Sequence, residues 1–128
     1  MQILDVAHNA QSAQALAKNL QALAHTGRIH VVLAMLADKD MAAVVGHLKS
    51  QVDYWYLAPL DVPRGASLVQ LQAALLHERT KEVRDETVNV FENVPAARRA
   101  ALAASEKEHV IVVCGSFPTV AAVLADTV

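Results

Sequence analysis

Apolar residues fall in two alternating rhythms along this chain. Short unbroken runs are followed by longer stretches in which apolar residues recur every three or four positions. The first rhythm fits a strand buried on both faces, the second a helix laid across it. Ile3-Leu4-Asp5-Val6-Ala7-His8-Asn9 opens the chain as a strand that stops at polar residues. Asn9 is a good N-cap for a helix to about Ala24, whose sheet-facing stripe is Ala13, Leu16, Ala17, Leu20 and Leu23. Residues 29–36 form a continuous, β-branched run that stops at Ala37-Asp38-Lys39-Asp40; a helix through Met41, Val44, Val45 and Leu48 follows. Residues 54–60 hold most of the aromatics and give way to the loop Asp61-Val62-Pro63-Arg64-Gly65-Ala66-Ser67, with Ser67 placed to cap a helix through Leu68, Leu71 and Leu75. After a polar stretch, residues 87–91 read as a strand and residues 95–105 as a helix that accepts Pro95 in its first turn. Residues 109–114 make the last strand, and a helix from Pro118 to near Val128 closes the chain.

Five strand–loop–helix units in succession imply right-handed crossovers. The expected fold is doubly wound α/β, a mainly parallel sheet with helices on both faces, over residues 1–128 as one domain. All strand C-termini then lie along one edge, where ligands of such sheets collect. That edge gathers Asp5, His8 and Asn9, then Asp38-Lys39-Asp40, Asp61 with Arg64, Phe91-Glu92, and Gly115-Ser116. Asp5 can accept two ribose hydroxyls or simply cap its loop. His8 can act on a ligand or sit solvated at a helix start. Lys39 can meet an anion or pair with its flanking acids, an exchange of small energy in water. Arg64 can grip a carboxylate with two parallel bonds. Gly115-Ser116 at a helix start can cradle a carboxylate or phosphate, or be an ordinary turn.

Composition narrows the field. With 128 residues, 54% of them hydrophobic and 19% charged, the chain can build a core. A net charge of -2 leaves no electrostatic footprint for nucleic acid or an anionic membrane, and no apolar run reaches the roughly 20 residues of a membrane span. The single Cys114 lies in an apolar run, which points to an inert core thiol and a reducing cytoplasm. His25, His30, His47, His77 and His109 have no metal-ligand spacing and read as structural or exposed. There is no G-x-x-x-x-G-K-[ST] phosphate loop, no G-x-G-x-x-G and no nucleophile beside a base, so this chain alone is expected to bind rather than catalyse. It also opens inside a strand with no lead-in, as a domain of a longer protein would.

Four stretches together resemble the C-terminal domain of folylpolyglutamate synthase/dihydrofolate synthase, in the Mur ligase superfamily. Leu4-Asp5-Val6-Ala7-His8-Asn9 is similar to that family's D-G-A-H-N-P, and Met35-Leu36-Ala37-Asp38-Lys39-Asp40 to its G-M-L-x-D-K-D. Leu57-Ala58-Pro59-Leu60 with Pro63-Arg64-Gly65-Ala66, and Val112-Val113-Cys114-Gly115-Ser116-Phe117, complete the likeness in order. Ala10 stands where the family has Pro, Val6 where Gly is common, and Pro118 where Pro is unusual. The resemblance implies a Rossmann-like closing domain of a ligase that uses ATP and Mg2+ to phosphorylate a pterin-substrate carboxylate, which the amine of L-glutamate then attacks. It implies an N-terminal ATPase domain carrying the phosphate loop, the Mg2+ ligands and most of the dihydropteroate/folate site. On this chain it implies Asp5 on the ATP ribose, His8 near the phosphates or glutamate, and Ser116 on glutamate, to which Lys39 and Arg64 are added as glutamate-binding candidates. The alternatives are a free-standing nucleotide- or amino-acid-binding module, which the residues alone allow, or another Mur-type amino-acid ligase domain, which the resemblance would also fit.

Overall fold

A computed structural model describes residues 2–5, 9–22, 27–60, 62–77, 87–106 and 109–126. The five units fold as strand and helix in strict alternation: β1 (Gln2–Asp5), α1 (Ala10–Ala22), β2 (Ile29–Ala34), α2 (Met41–Leu48), β3 (Tyr54–Leu57), α3 (Leu68–His77), β4 (Val88–Val90), α4 (Val94–Ala104), β5 (Val110–Gly115) and α5 (Phe117–Asp126). All the strands pair in parallel, in the order β1-β5-β2-β3-β4. β5, last in the chain, therefore inserts between the first two. β2 and β5 are buried at every residue, which is why both read as unbroken apolar runs.

Two cores sandwich the sheet. On one face Leu16 and Leu20 of α1, Val44, Val45 and Leu48 of α2, and Leu71 and Leu75 of α3 pack on Val31, Leu33, Trp55 and Val112. On the other, Val94, Ala97 and Ala101 of α4 and Val123 of α5 pack on Val32, Ala34, Tyr56, Ile111 and Val113. Each Val or Leu so enclosed contributes about 1.5–3 kcal/mol, while the small alanines let α4 lie close to the strands.

Helix starts follow the side chains that satisfy free N–H groups. Asn9 Oδ1 accepts from Ser12 N–H at 2.8 Å, Asp40 Oδ1 from Ala43 N–H at 3.1 Å and Asn93 Oδ1 from Ala96 N–H at 2.8 Å. At α3 the expected cap Ser67 accepts from Gln70 N–H at 3.2 Å, and Gln70 Oε1 accepts from Ser67 N–H at 2.9 Å, a reciprocal capping box.

Boundaries shift where the chain finds better partners. β2 ends at Ala34 rather than at residue 36, because Met35 and Leu36 turn to meet the β3–α3 loop. There Ala66 N–H donates to Met35 O at 2.8 Å and Ala37 N–H to Arg64 O at 2.7 Å. β3 ends at Leu57 rather than at residue 60, since Pro59 has no N–H for the ladder. α4 and α5 each start one residue before the expected position. The expected end of α1 at residues 23–24, the polar stretch 78–86 and the last two residues lie outside the described residues.

Candidate functional site at the strand C-terminal edge

α1, α2 and α3 leave their strands on one face, α4 and α5 on the other. Because β5 lies between β1 and β2, its chain leaves on the opposite face from both neighbours, and a crevice opens beside its C-terminal end. This is the topological switch point at which doubly wound sheets take ligands. Asp5 ends β1 in register with Cys114 of β5, so Asp5 and Gly115-Ser116 flank that crevice.

Asp5 is half-buried, and burial pushes its carboxyl above the usual carboxylate range. It has no hydrogen-bond or ion-pair partner among the described residues. The neighbouring Cys114 thiol is fully buried and pushed up to about 12 by burial, with Asp5 adding to the shift, so it is inert.

Gly115 sits at φ 139, and a Cβ there would lie 1.8 Å from Ala34 O. Only glycine lets the β5–α5 turn press so closely on the end of β2. The turn is then tied down. Ser116 Oγ accepts from Leu36 N–H at 3.0 Å; Thr119 Oγ1 accepts from Ser116 N–H at 3.3 Å and donates to Ala34 O. Ser116, at the crevice end of β5, is thus 3% exposed and holds the fold together. Its oxygen serves Leu36, and its O–H remains a donor.

Farther along the edge, Arg64 Nη1 lies 3.3 Å from Asp38 Oδ2, with side chains 73% and 50% exposed. The pair is open to water and easily exchanged. Gly65 allows the loop to double back, since a Cβ there would fall 2.2 Å from Leu60 O. Lys39 has no ion-pair partner among the described residues: Asp38 faces Arg64, and Asp40 caps α2. A second crevice lies between the ends of β3 and β4, where the helices again leave on opposite faces. It is a pocket of about 400 Å3 lined by Pro59, Leu60, Glu92 and Asn93.

The structure therefore brings Asp5 and Ser116 to one crevice, and links Ser116 through Leu36 to the loop bearing Lys39 and to Arg64. His8 and Asp61 lie outside the described residues. Sequence reasoning missed Thr119, although a Ser followed three residues on by Thr at a helix start is a capping signal. Among the described residues no group of three or more His, Cys, Asp and Glu could hold a metal ion.

A family model described as Mur ligase, glutamate ligase domain, matches residues 1–117. The chain belongs to that family. This glutamate ligase domain is 43% identical over 122 residues to the dihydrofolate synthase/folylpolyglutamate synthase of Escherichia coli K12, covering 95% of this chain and 26% of that protein. Among solved structures, the bifunctional folylpolyglutamate synthase/dihydrofolate synthase of Yersinia pestis complexed with AMPPNP and Mn ion aligns with a TM-score of 0.86 at 40% identity, over 98% of this chain and 28% of that one. A bifunctional synthase of the same description with Mn, AMPPNP and L-glutamate bound aligns with a TM-score of 0.83 at 38% identity, over 97% and 28%. The domain thus spans about a quarter of the length of the relatives it matches. Its Rossmann-like α/β fold is theirs.

Proposed function

We propose that this chain is the closing domain of an ATP-dependent ligase that joins L-glutamate to dihydropteroate and to folates. The observation that carries the reading is Asp5: a half-buried carboxyl with no described partner, at the switch point beside β5. A carboxylate kept partly from water and left unpaired gains most when two vicinal hydroxyls donate to it, as the ribose of ATP does. The relatives' structures hold AMPPNP, and AMPPNP with L-glutamate, which supports a nucleotide and an amino acid as the ligands of the whole protein.

In the reaction so assigned, a carboxylate oxygen of the pterin substrate attacks the γ-phosphorus of ATP, and ADP leaves. The glutamate amine then attacks the acyl phosphate carbon, losing a proton, and inorganic phosphate leaves as the amide forms. Asp5 fixes the ribose, and His8, assigned by resemblance, lies near the phosphates or glutamate. Ser116 uses its free O–H on a glutamate carboxylate; Arg64 and Lys39 neutralise the same ligand. Mg2+ would screen the ATP phosphates, and we assign its ligands, with the phosphate loop and most of the pterin site, to an N-terminal ATPase domain of the same polypeptide. The isolated chain is then inactive, because only docking on that domain closes the site. We place the protein in the cytoplasm, where a buried free thiol stays reduced. The test is Asp5→Ala in the whole protein, which should raise the apparent KM for ATP about tenfold, the equivalent of one charge-assisted hydrogen bond. Unchanged ATP kinetics would remove Asp5 from the nucleotide site.

A further inference from the structure

At the opposite end of the sheet, three side chains far apart in sequence meet. His30 of β2 is 1% exposed. Its Nδ1 lies 2.9 Å from the Tyr56 hydroxyl of β3, and its Nε2 lies 2.8 Å from Nδ1 of His109, just ahead of β5. The outer nitrogen of His109, Nε2, is 3.9 Å from Glu106 Oε2 beyond the end of α4. Tyr54 stacks on the His30 ring with centroids 5.0 Å apart. These groups and Asn89 of β4 line a pocket of about 410 Å3.

Counting hydrogens on the two rings shows what this arrangement can do. Two ring nitrogens 2.8 Å apart must share one hydrogen. With both rings neutral, one further hydrogen remains, either on the outer nitrogen of His109 or on His30 Nδ1. A bare His109 Nε2 would face the Glu106 carboxylate 3.9 Å away, acceptor toward acceptor, so that charge favours the first form. The Tyr56 O–H then donates to His30 Nδ1, and His30 Nε2–H donates to His109. When one proton is added, three hydrogens occupy four nitrogens. The middle one is shared, and both outer nitrogens carry N–H. His30 Nδ1–H must now donate to the Tyr56 oxygen, and the Tyr56 hydrogen must turn away from His30. A second added proton would set two N–H groups head to head and break the pair.

We propose that His30 and His109 form one shared protonation site, whose single proton decides whether the Tyr56 hydroxyl donates into the imidazole pair or outward into the pocket. The pocket's hydrogen-bonding face therefore changes polarity with pH while the backbone stays in place. The charged and titratable described groups that face the pair are Asp53 just ahead of β3, Tyr54 and Tyr56 of β3, and Glu106 beyond the end of α4. Asp53 is engaged by Ile29 N–H at 2.8 Å and by Arg28. Burial and the neighbouring His109 charge hold His30 down to about 4, with Asp53 acting in the opposite direction, so a second charge beside the first is resisted.

The test is nitrogen NMR of the histidine rings in the whole protein between pH 7.5 and pH 4.5. The expected result is that both rings respond over one common interval, with His30 Nδ1 passing from acceptor to N–H donor as the pair gains one proton. In His109→Asn, which keeps a polar group at the rim, His30 should respond as a single ring, its midpoint shifted by one unit or more from that of the pair, because the proton is no longer shared. Tyr56→Phe gives a second reading: with no acceptor for His30 Nδ1–H, the joint response moves to lower pH. Separate intervals for the two rings, a His30 response indifferent to His109→Asn, or an Nδ1 that never becomes a donor would each overturn the proposal.

Discussion

The two ends of the sheet handle polar side chains in opposite ways. At the C-terminal end, Asp5 has no described partner, and Arg64 and Asp38 hold one another loosely in water. At the N-terminal end His30, Tyr56 and His109 satisfy one another, and the backbone of β2 is fastened by Asp53. Both ends contain a titrating group whose charged form burial opposes, Asp5 and His30. The difference lies in what completes them: His30 is completed by its own chain, whereas Asp5 has no partner among the described residues, and the proposed ribose contact would supply one. Partnering, more than burial, separates a structural polar group from a binding one.

Several measurements would break or sharpen that contrast. The largest effect is expected at the C-terminal end, where the β5–α5 turn rests on one glycine. Gly115→Ala should cost about 3 kcal/mol or more, because the new Cβ meets Ala34 O at a backbone angle few residues adopt; denaturant unfolding would measure it, and a loss under about 1 kcal/mol would mean the turn relaxes. Next is acid sensitivity at the other end. His30 is lowered in the folded state, so its contribution is complete above its unfolded value of about 6.5 and is lost as pH falls toward 4, by about 3 kcal/mol at most. Unfolding midpoints at pH 7 and pH 5 should therefore differ, and His30→Gln should flatten the difference.

Asn93→Ala, which removes the cap of α4, should cost about 1 kcal/mol. Asp5→Asn should do the reverse of an ordinary core lesion. A raised carboxyl favours the protonated form, so the native Asp5 weakens the fold as pH rises through its raised value. The amide variant should be at least as stable at pH 7, yet poorer in ATP affinity; a variant that is both less stable and unchanged toward ATP would make Asp5 structural. Arg64→Ala should move stability least, by about 0.5 kcal/mol or less for so exposed a pair, while raising the KM for glutamate several-fold.

Most of the fold was legible from local pattern. The fully buried runs in β2 and β5, the stripe through Leu16 and Leu20, and the caps at Asn9 and Ser67 are written within a few neighbouring residues. The strand order was not, because the insertion of β5 beside β1 pairs Gln2 with Ile111, and no local rhythm encodes so distant a partner. The same distinction divides the sites. Asp5 and Ser116 stand at strand ends and could be singled out one at a time. His30 and His109, 79 positions apart, could only be read singly as structural or exposed, and their joint chemistry exists only after folding. Ser116 was legible as a crevice residue but not as a brace, since its bond to Leu36 spans 80 positions.

That brace has a further consequence. Leu36 and Ala34 lock the end of β2 to the β5–α5 turn through two hydrogen bonds, to Ser116 and from Thr119, and a third within the turn joins Ser116 to Thr119, with no long flexible side chain among them. The chain gave up its conformational freedom here when it folded, not when a ligand arrives. Capture at this edge should therefore carry little ordering entropy, and tight binding would not require many contacts. Its affinity should weaken only slightly on warming, unlike that of a loop that must freeze around its ligand.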